Sequence, residues 1–172
     1  MDSNSLRSNR LVFYADLIRD VNRILREFLK LSNAKCAMLV DKEGHMVTRQ
    51  GVTRDIDMDT ISALVAGSFA ATKEMARVLG EDEFSVLFHQ GKTDNIQLSL
   101  VGDRTLLTVI FDEATTVGMV RLYAAETAKR LSELFEKHDT EQRMNPDRAP
   151  PEDLATGFVG SAKDKLDDLF GG

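Results

Sequence analysis

Three strand-like runs, 85–90, 96–101 and 105–111, follow one another with only five and three residues between them. A parallel crossover needs a dozen residues or more, so neighbours joined this tightly pair antiparallel. The joints carry turn chemistry, Gly91-Lys92-Thr93-Asp94-Asn95 and Gly102-Asp103-Arg104. The middle run alternates, with Ile96, Leu98 and Leu100 on one face and Gln97 and Ser99 on the other. An earlier pair repeats the plan. Cys36-Ala37-Met38-Leu39-Val40 reads as a buried strand and 45–50 as a partly exposed one, joined at Asp41-Lys42-Glu43-Gly44, where Gly44 supplies a positive φ.

Helical periodicity surrounds these strands. Val12, Leu17, Ile18, Val21, Ile24, Leu25, Phe28 and Leu29 form one stripe over 11–31. Asp55-Ile56-Asp57 offers N-cap oxygens to a long helix that Gly80 stops. A last helix over about 116–137 repeats Val117, Val120, Leu122, Ala124, Ala128, Leu131, Leu134 and Phe135. The order αββαβββα predicts an α+β domain with helices laid on an antiparallel sheet.

The 172 residues carry a net charge of −6, unevenly placed. Residues 139–172 hold eight acids against four bases, leaving the body 18 bases against 20 acids. The three prolines, Pro146, Pro150 and Pro151, lie in the same tail. These shifts predict a disordered polar N-terminus over 1–10, a domain over 11–138, a flexible linker over 139–161 and a short amphipathic helix over 162–170. A near-neutral body argues against nucleic-acid binding through phosphate neutralisation. The single Cys excludes an internal disulfide framework and a multi-Cys metal site. The chain has no apolar run of membrane-spanning length and no hydrophobic leader, so membrane insertion is not expected and a cytoplasmic location is.

Little here resembles a catalytic centre. His45, His89 and His138 lack metal-ligand spacing and read as solvent-facing or singly hydrogen-bonded. Gly91-Lys92-Thr93 matches the end of a phosphate-loop pattern, but Val86 stands where the first glycine is required and no helix follows. Cys36 reads as a small buried hydrophobe, and Asp112-Glu113 as the acidic lead into the last helix. No catalytic residue, metal or cofactor is assigned, and the chain is read as a regulator rather than an enzyme.

Two features point instead to a protein partner. In the second helix, Ile61, Leu64, Val65, Phe69, Met75, Val78 and Leu79 form the bulky side. The other side carries Ala63, Ala66, Gly67, Ala70, Ala71 and Glu74. Small side chains there serve either close packing within the protomer or a docking surface. At the C-terminus, Leu166, Leu169 and Phe170 fall at i, i+3 and i+4 among acids. That element is too short to be stable alone and is expected to fold on docking, in its own domain or on a partner.

Many short segments in order carry a family resemblance. They include Asn33-Ala34-Lys35, Leu39-Val40-Asp41-Lys42-Glu43-Gly44, Asp55-Ile56-Asp57, Ala66-Gly67, Val101-Gly102-Asp103-Arg104 and Gly118-Met119-Val120-Arg121-Leu122. From about Tyr14 to Glu136 the chain resembles the Roadblock/dynein light chain superfamily, and within it the MglB-like branch. The terminal Leu-Asp-Asp-Leu-Phe resembles that branch's acidic tail.

The resemblance implies a five-stranded antiparallel sheet with the second helix on one face and the first and last on the other. It also implies a homodimer joined at sheet edges, whose paired second helices receive the switch regions of a Ras-like small GTPase of the MglA type. The function it implies is GTPase activation by repositioning the GTPase's own residues, in bacterial polarity or motility. The alternative is a scaffold that binds a GTPase or another light chain without accelerating hydrolysis. Ala63, Ala66, Gly67, Ala70, Ala71 and Glu74 fall at the platform positions, and Leu166, Leu169 and Phe170 at the tail anchor. Arg54, Arg77 and Arg121 are the arginines to test for a direct part in hydrolysis. The 23-residue linker spans roughly 25–30 Å, enough to bring the tail to a second surface of a bound GTPase. A third class, small-molecule sensing on a sheet face, has no support in the sequence.

Overall fold

A computed structural model describes residues 15–144. The chain divides into two units, Met1–Glu136, which holds the sheet, and Lys137–Gly172. The elements are α1 (Ala15–Ser32), β1 (Cys36–Asp41), β2 (Met46–Gly51), α2 (Met58–Leu79), β3 (Val86–Gln90), β4 (Asn95–Val101), β5 (Thr105–Phe111) and α3 (Val117–Met144). The strands form one sheet in the order β2-β1-β5-β4-β3, every pair antiparallel. The chain is thus the α+β, five-stranded fold its patterning implied.

The strand period of two sorts the core into two layers. Ala37, Leu39, Val101, Leu107, Val109 and Phe111 meet Leu17, Val21, Leu25 and Phe28 of α1 and Val120, Ala124 and Leu131 of α3. The intervening residues take the other face, where Leu98 and Leu106 meet Val65 and Phe69 of α2, and Met38 and Val40 meet Met58. Each fully buried Leu or Phe contributes about 1.5–3 kcal/mol. Central β5 is buried at all seven positions, since helices cover it from both sides.

Local chemistry places the ends. Asn33 stops α1 in the left-handed region at φ 57, and its Nδ2 donates to the Ala114 carbonyl at 2.9 Å, tying α1 to the loop before α3. Asp41 Oδ1 accepts the backbone N–H groups of Glu43 and His45, at 2.9 and 2.8 Å, and Gly44 turns the hairpin at φ +96. Asp57 caps α2 through the N–H and hydroxyl of Thr60, and Gly80 ends it at φ 75.

α3 is longer than its apolar repeat indicated. It continues through residues 139–144, where a linker was expected, and Lys137 and Glu141 lie one turn apart at 4.0 Å. Asp139 to Arg143 contain no breaker, and the first obstacle to helix is Pro146, which disfavours α geometry at Asn145. Residues 1–10, and the expected tail helix over 162–170, lie outside the described residues.

Candidate partner-binding face

α2 carries two stripes on opposite sides. Met58, Ser62, Val65, Phe69, Thr72 and Ala76 recur at four, three, four, three and four residues and are all buried on the sheet. The hydroxyls in this stripe are satisfied locally, Ser62 on the Met58 carbonyl at 2.7 Å and Thr72 on that of Phe69 at 2.8 Å. About 200° around the helix from Ser62, Leu64, Gly67, Ala71, Met75 and Val78 make a second stripe at the same helical spacing. This one lies open, with Leu64 62% and Val78 73% exposed.

The bulky residues therefore do not share one side: Val65 and Phe69 are buried on the sheet, whereas Leu64, Met75, Val78 and Leu79 are exposed. The helical angle of the first three of these exposed residues sets them beside Gly67 and Ala71. A second i, i+3, i+4 stripe beginning at Leu64 was the signal available in the sequence. Leu79 sits at the exposed C-terminal end of the helix.

Of the six small-face residues, Ala63, Gly67, Ala70, Ala71 and Glu74 are exposed, and Ala66 is buried. Two of them have an intramolecular reason to be small. A Cβ on Gly44 would stand 3.1 Å from the Cα of Ala63 and 3.6 Å from the Cβ of Ala66, so the β1–β2 hairpin tip lies against the α2 backbone there. Gly67 has no such reason. A Cβ built on it meets nothing within 4 Å, and its backbone is ordinary helix. An interior helical Gly costs about 1 kcal/mol relative to Ala, and nothing among the described residues offsets it.

Charge borders this strip rather than interrupting it. Arg77 Nε donates to Glu74 Oε1 at 3.0 Å, holding the Glu74 carboxyl below and the Arg77 guanidinium above their usual ranges. Arg54 is exposed on the loop before α2. Arg121 is on α3, on the opposite side of the sheet, so the three arginines do not converge. Leu166, Leu169 and Phe170 lie outside the described residues.

Several titratable groups elsewhere are fixed by local contacts. His45 Nδ1 sits 3.1 Å from Asp41 Oδ2 and 3.8 Å from Glu43 Oε2 on the exposed hairpin turn. Burial pushes the Cys36 thiol up. Lys35 is drawn up by its hydrogen bond to Asp94 at 2.9 Å. Among the described residues, no helix is long and apolar enough to cross a membrane.

An antiparallel five-stranded sheet with one helix on one side, two on the other and an open apolar face on the single helix defines a class. Residues 20–111 match the Roadblock/LC7 domain, and the chain belongs to that family. Among solved structures it is similar to MglB of Myxococcus xanthus, at 37% identity over 69% of this chain and 96% of that one, with a TM-score of 0.66. It is also similar to the gliding protein MglB of Thermus thermophilus, at 30% identity over 74% and 96% of the two chains and a TM-score of 0.70. An MglB described as having a tetrameric arrangement matches with the same figures. No curated protein sequence matches significantly.

Proposed function

We propose that this protein is a regulator and activator of a Ras-like small GTPase of the MglA type, acting as a homodimer whose paired α2 helices receive the GTPase's switch regions. The observation that carries this reading is Gly67, a costly helical glycine with open space around it, in an apolar stripe running the length of α2. Small side chains let backbone of a partner approach closely, and Leu64, Met75 and Val78 supply apolar area at the rim of the contact. Similarity to MglB over two thirds of the chain supports the same partner class. Hydrolysis would then be promoted by shifting the GTPase toward its competent conformation, with no catalytic group donated. Residues 162–170, through Leu166, Leu169 and Phe170, would add a contact remote from the switches.

Single-turnover GTP hydrolysis by an MglA-type GTPase, with and without this protein, tests the activity. No acceleration at saturating binding leaves the scaffold reading in its place. Gly67→Arg should abolish complex formation while the protein stays folded, and unchanged affinity would mean that another face binds. Deleting the residues after Ser161 should leave platform binding intact but weaken the complex or alter nucleotide exchange. If neither changes, the tail has no such role.

A further inference from the structure

On the other side of the sheet, strands β3 and β4 and the helix α3 enclose an open cleft of about 630 Å³. Its lining includes Val86, Phe88, Gln97, Ser99, Arg121 and Ala125. That volume lies in the range of small-molecule sites, which combine an apolar body with a few converging polar groups. The apolar part is Val86, Phe88 and the small side of α3.

The polar part is where the cleft departs from an ordinary groove. Gln97 and Ser99 look like the solvent face of β4 in the sequence, yet they are only 1% and 4% exposed. Valine or isoleucine would serve there at no polar cost. Gln97 Nε2 makes one long hydrogen bond to Ser99 Oγ at 3.3 Å, and its Oε1 has no partner among the described residues. A buried acceptor left in this state costs stability, so the carboxamide is not explained by the fold. Arg121, at the exposed edge of the same cleft, makes no ion pair among the described residues. One cavity thus holds an unfilled acceptor and an unpaired guanidinium at its rim.

We propose that this cleft binds a small aromatic anion bearing an N–H or O–H donor. The anionic group pairs with Arg121, whose planar fork suits a carboxylate, sulfonate or phosphate. The flat body lies against Phe88 and Val86. The donor satisfies Gln97 Oε1 once the carboxamide turns from its weak contact with Ser99 toward the cleft. A ligand carrying acceptors alone leaves that oxygen unpaired and binds more weakly. The site lies on the opposite face from the α2 stripe, so it stands or falls independently of GTPase binding.

A suitable probe is 6-anilinonaphthalene-2-sulfonate, whose flat naphthalene ring carries a free N–H at one end and a sulfonate at the other. The full chain is titrated by fluorescence, with the Gln97 side-chain amide followed by NMR. The expected result is saturation at one probe per chain with movement of the Gln97 amide resonance. Ala125→Trp, which fills the cleft from an exposed position, and Arg121→Glu should each weaken binding at least tenfold. Gly67→Arg, on the far face, should leave it unchanged. Gln97→Leu should weaken the probe while raising the melting midpoint of the free protein, a pairing that a purely structural glutamine would not produce. Circular dichroism verifies each fold, and Arg121→Glu keeps the test intact if Ala125→Trp does not fold. If Gly67→Arg removes the signal and the cleft variants do not, the probe reads the α2 face and the proposal is overturned. It is equally overturned if the cleft variants change the sedimentation behaviour while the Gln97 amide stays still, since a second copy of the chain then covers the cleft.

Discussion

Replacing Gly67 with Ala separates what the protomer needs from what a partner needs. Beyond its own turn of helix, the added methyl meets no atom of the described residues within 4 Å, and residue 67 lies well inside the 22-residue α2. The only change within the protomer is therefore the backbone entropy released by removing a helical glycine, about 1 kcal/mol in favour of folding. For a chain of this size that raises the melting midpoint by about 2–4 °C, measurable by calorimetry. In a complex whose partner backbone rests on residue 67, the same methyl is overpacked at a cost of roughly 1–3 kcal/mol. Affinity for the GTPase then falls about 5- to 150-fold, read by titration calorimetry at constant salt. Opposite signs from one methyl group are the signature of a glycine retained for docking. Stabilisation with unchanged affinity would refute the docking argument at this position. Absence of stabilisation would show that the space around Gly67 is filled in the free protein, and sedimentation would reveal whether a second copy fills it.

Three further outcomes follow from the geometry. Gly51→Ala places a Cβ 2.4 Å from the Lys35 carbonyl oxygen and 2.8 Å from the Cys36 Cα, at φ +99. It should cost on the order of 3 kcal/mol or more in urea unfolding, and a midpoint within error of the parent would mean the β1–β2 edge is misplaced. Asp57 is held below its ordinary 3.8 by the Thr60 hydroxyl and N–H. Its stabilisation is thus present above that value and lost as pH falls through the depressed one, so the deficit of Asp57→Ala at neutral pH should narrow in acid melts. Cys36 is fully buried with its thiol pushed up, so native labelling by a disulfide reagent should be slow and accelerate with added denaturant. Rapid native labelling would contradict the burial of β1.

Most of the architecture was legible because periodicity and turn chemistry agreed. The alternation of β4, the Asp57 cap and the positive φ at Gly44 and Gly80 all stand where the sequence placed them. What was not legible depended on angle or on neighbours. Leu64, Met75 and Val78 face outward because α2 turns 100° per residue, whatever their hydrophobicity. Gln97 and Ser99 are buried because strand and helix α3 close over them, which a polar residue in an alternating strand gives no means to foresee. The division of the small stripe between Gly44 packing and open surface needed a backbone about 20 residues away.

The strand order has a consequence for how the chain is made. β1–β2 and β3–β4–β5 are each local ribbons, but β1 joins β5 only across the 63 residues from Lys42 to Arg104. The floor beneath α2 is shared between them, with Met38 and Val40 from the first ribbon and Leu98 and Leu106 from the second. Emerging from a ribosome, α2 has only half of its bed until residue 111 has been released. Long-range closure of this kind is slow relative to hairpin formation, and it leaves the inner edge of β1 unpaired meanwhile. Until β5 is released, therefore, this domain cannot become a single cooperative unit.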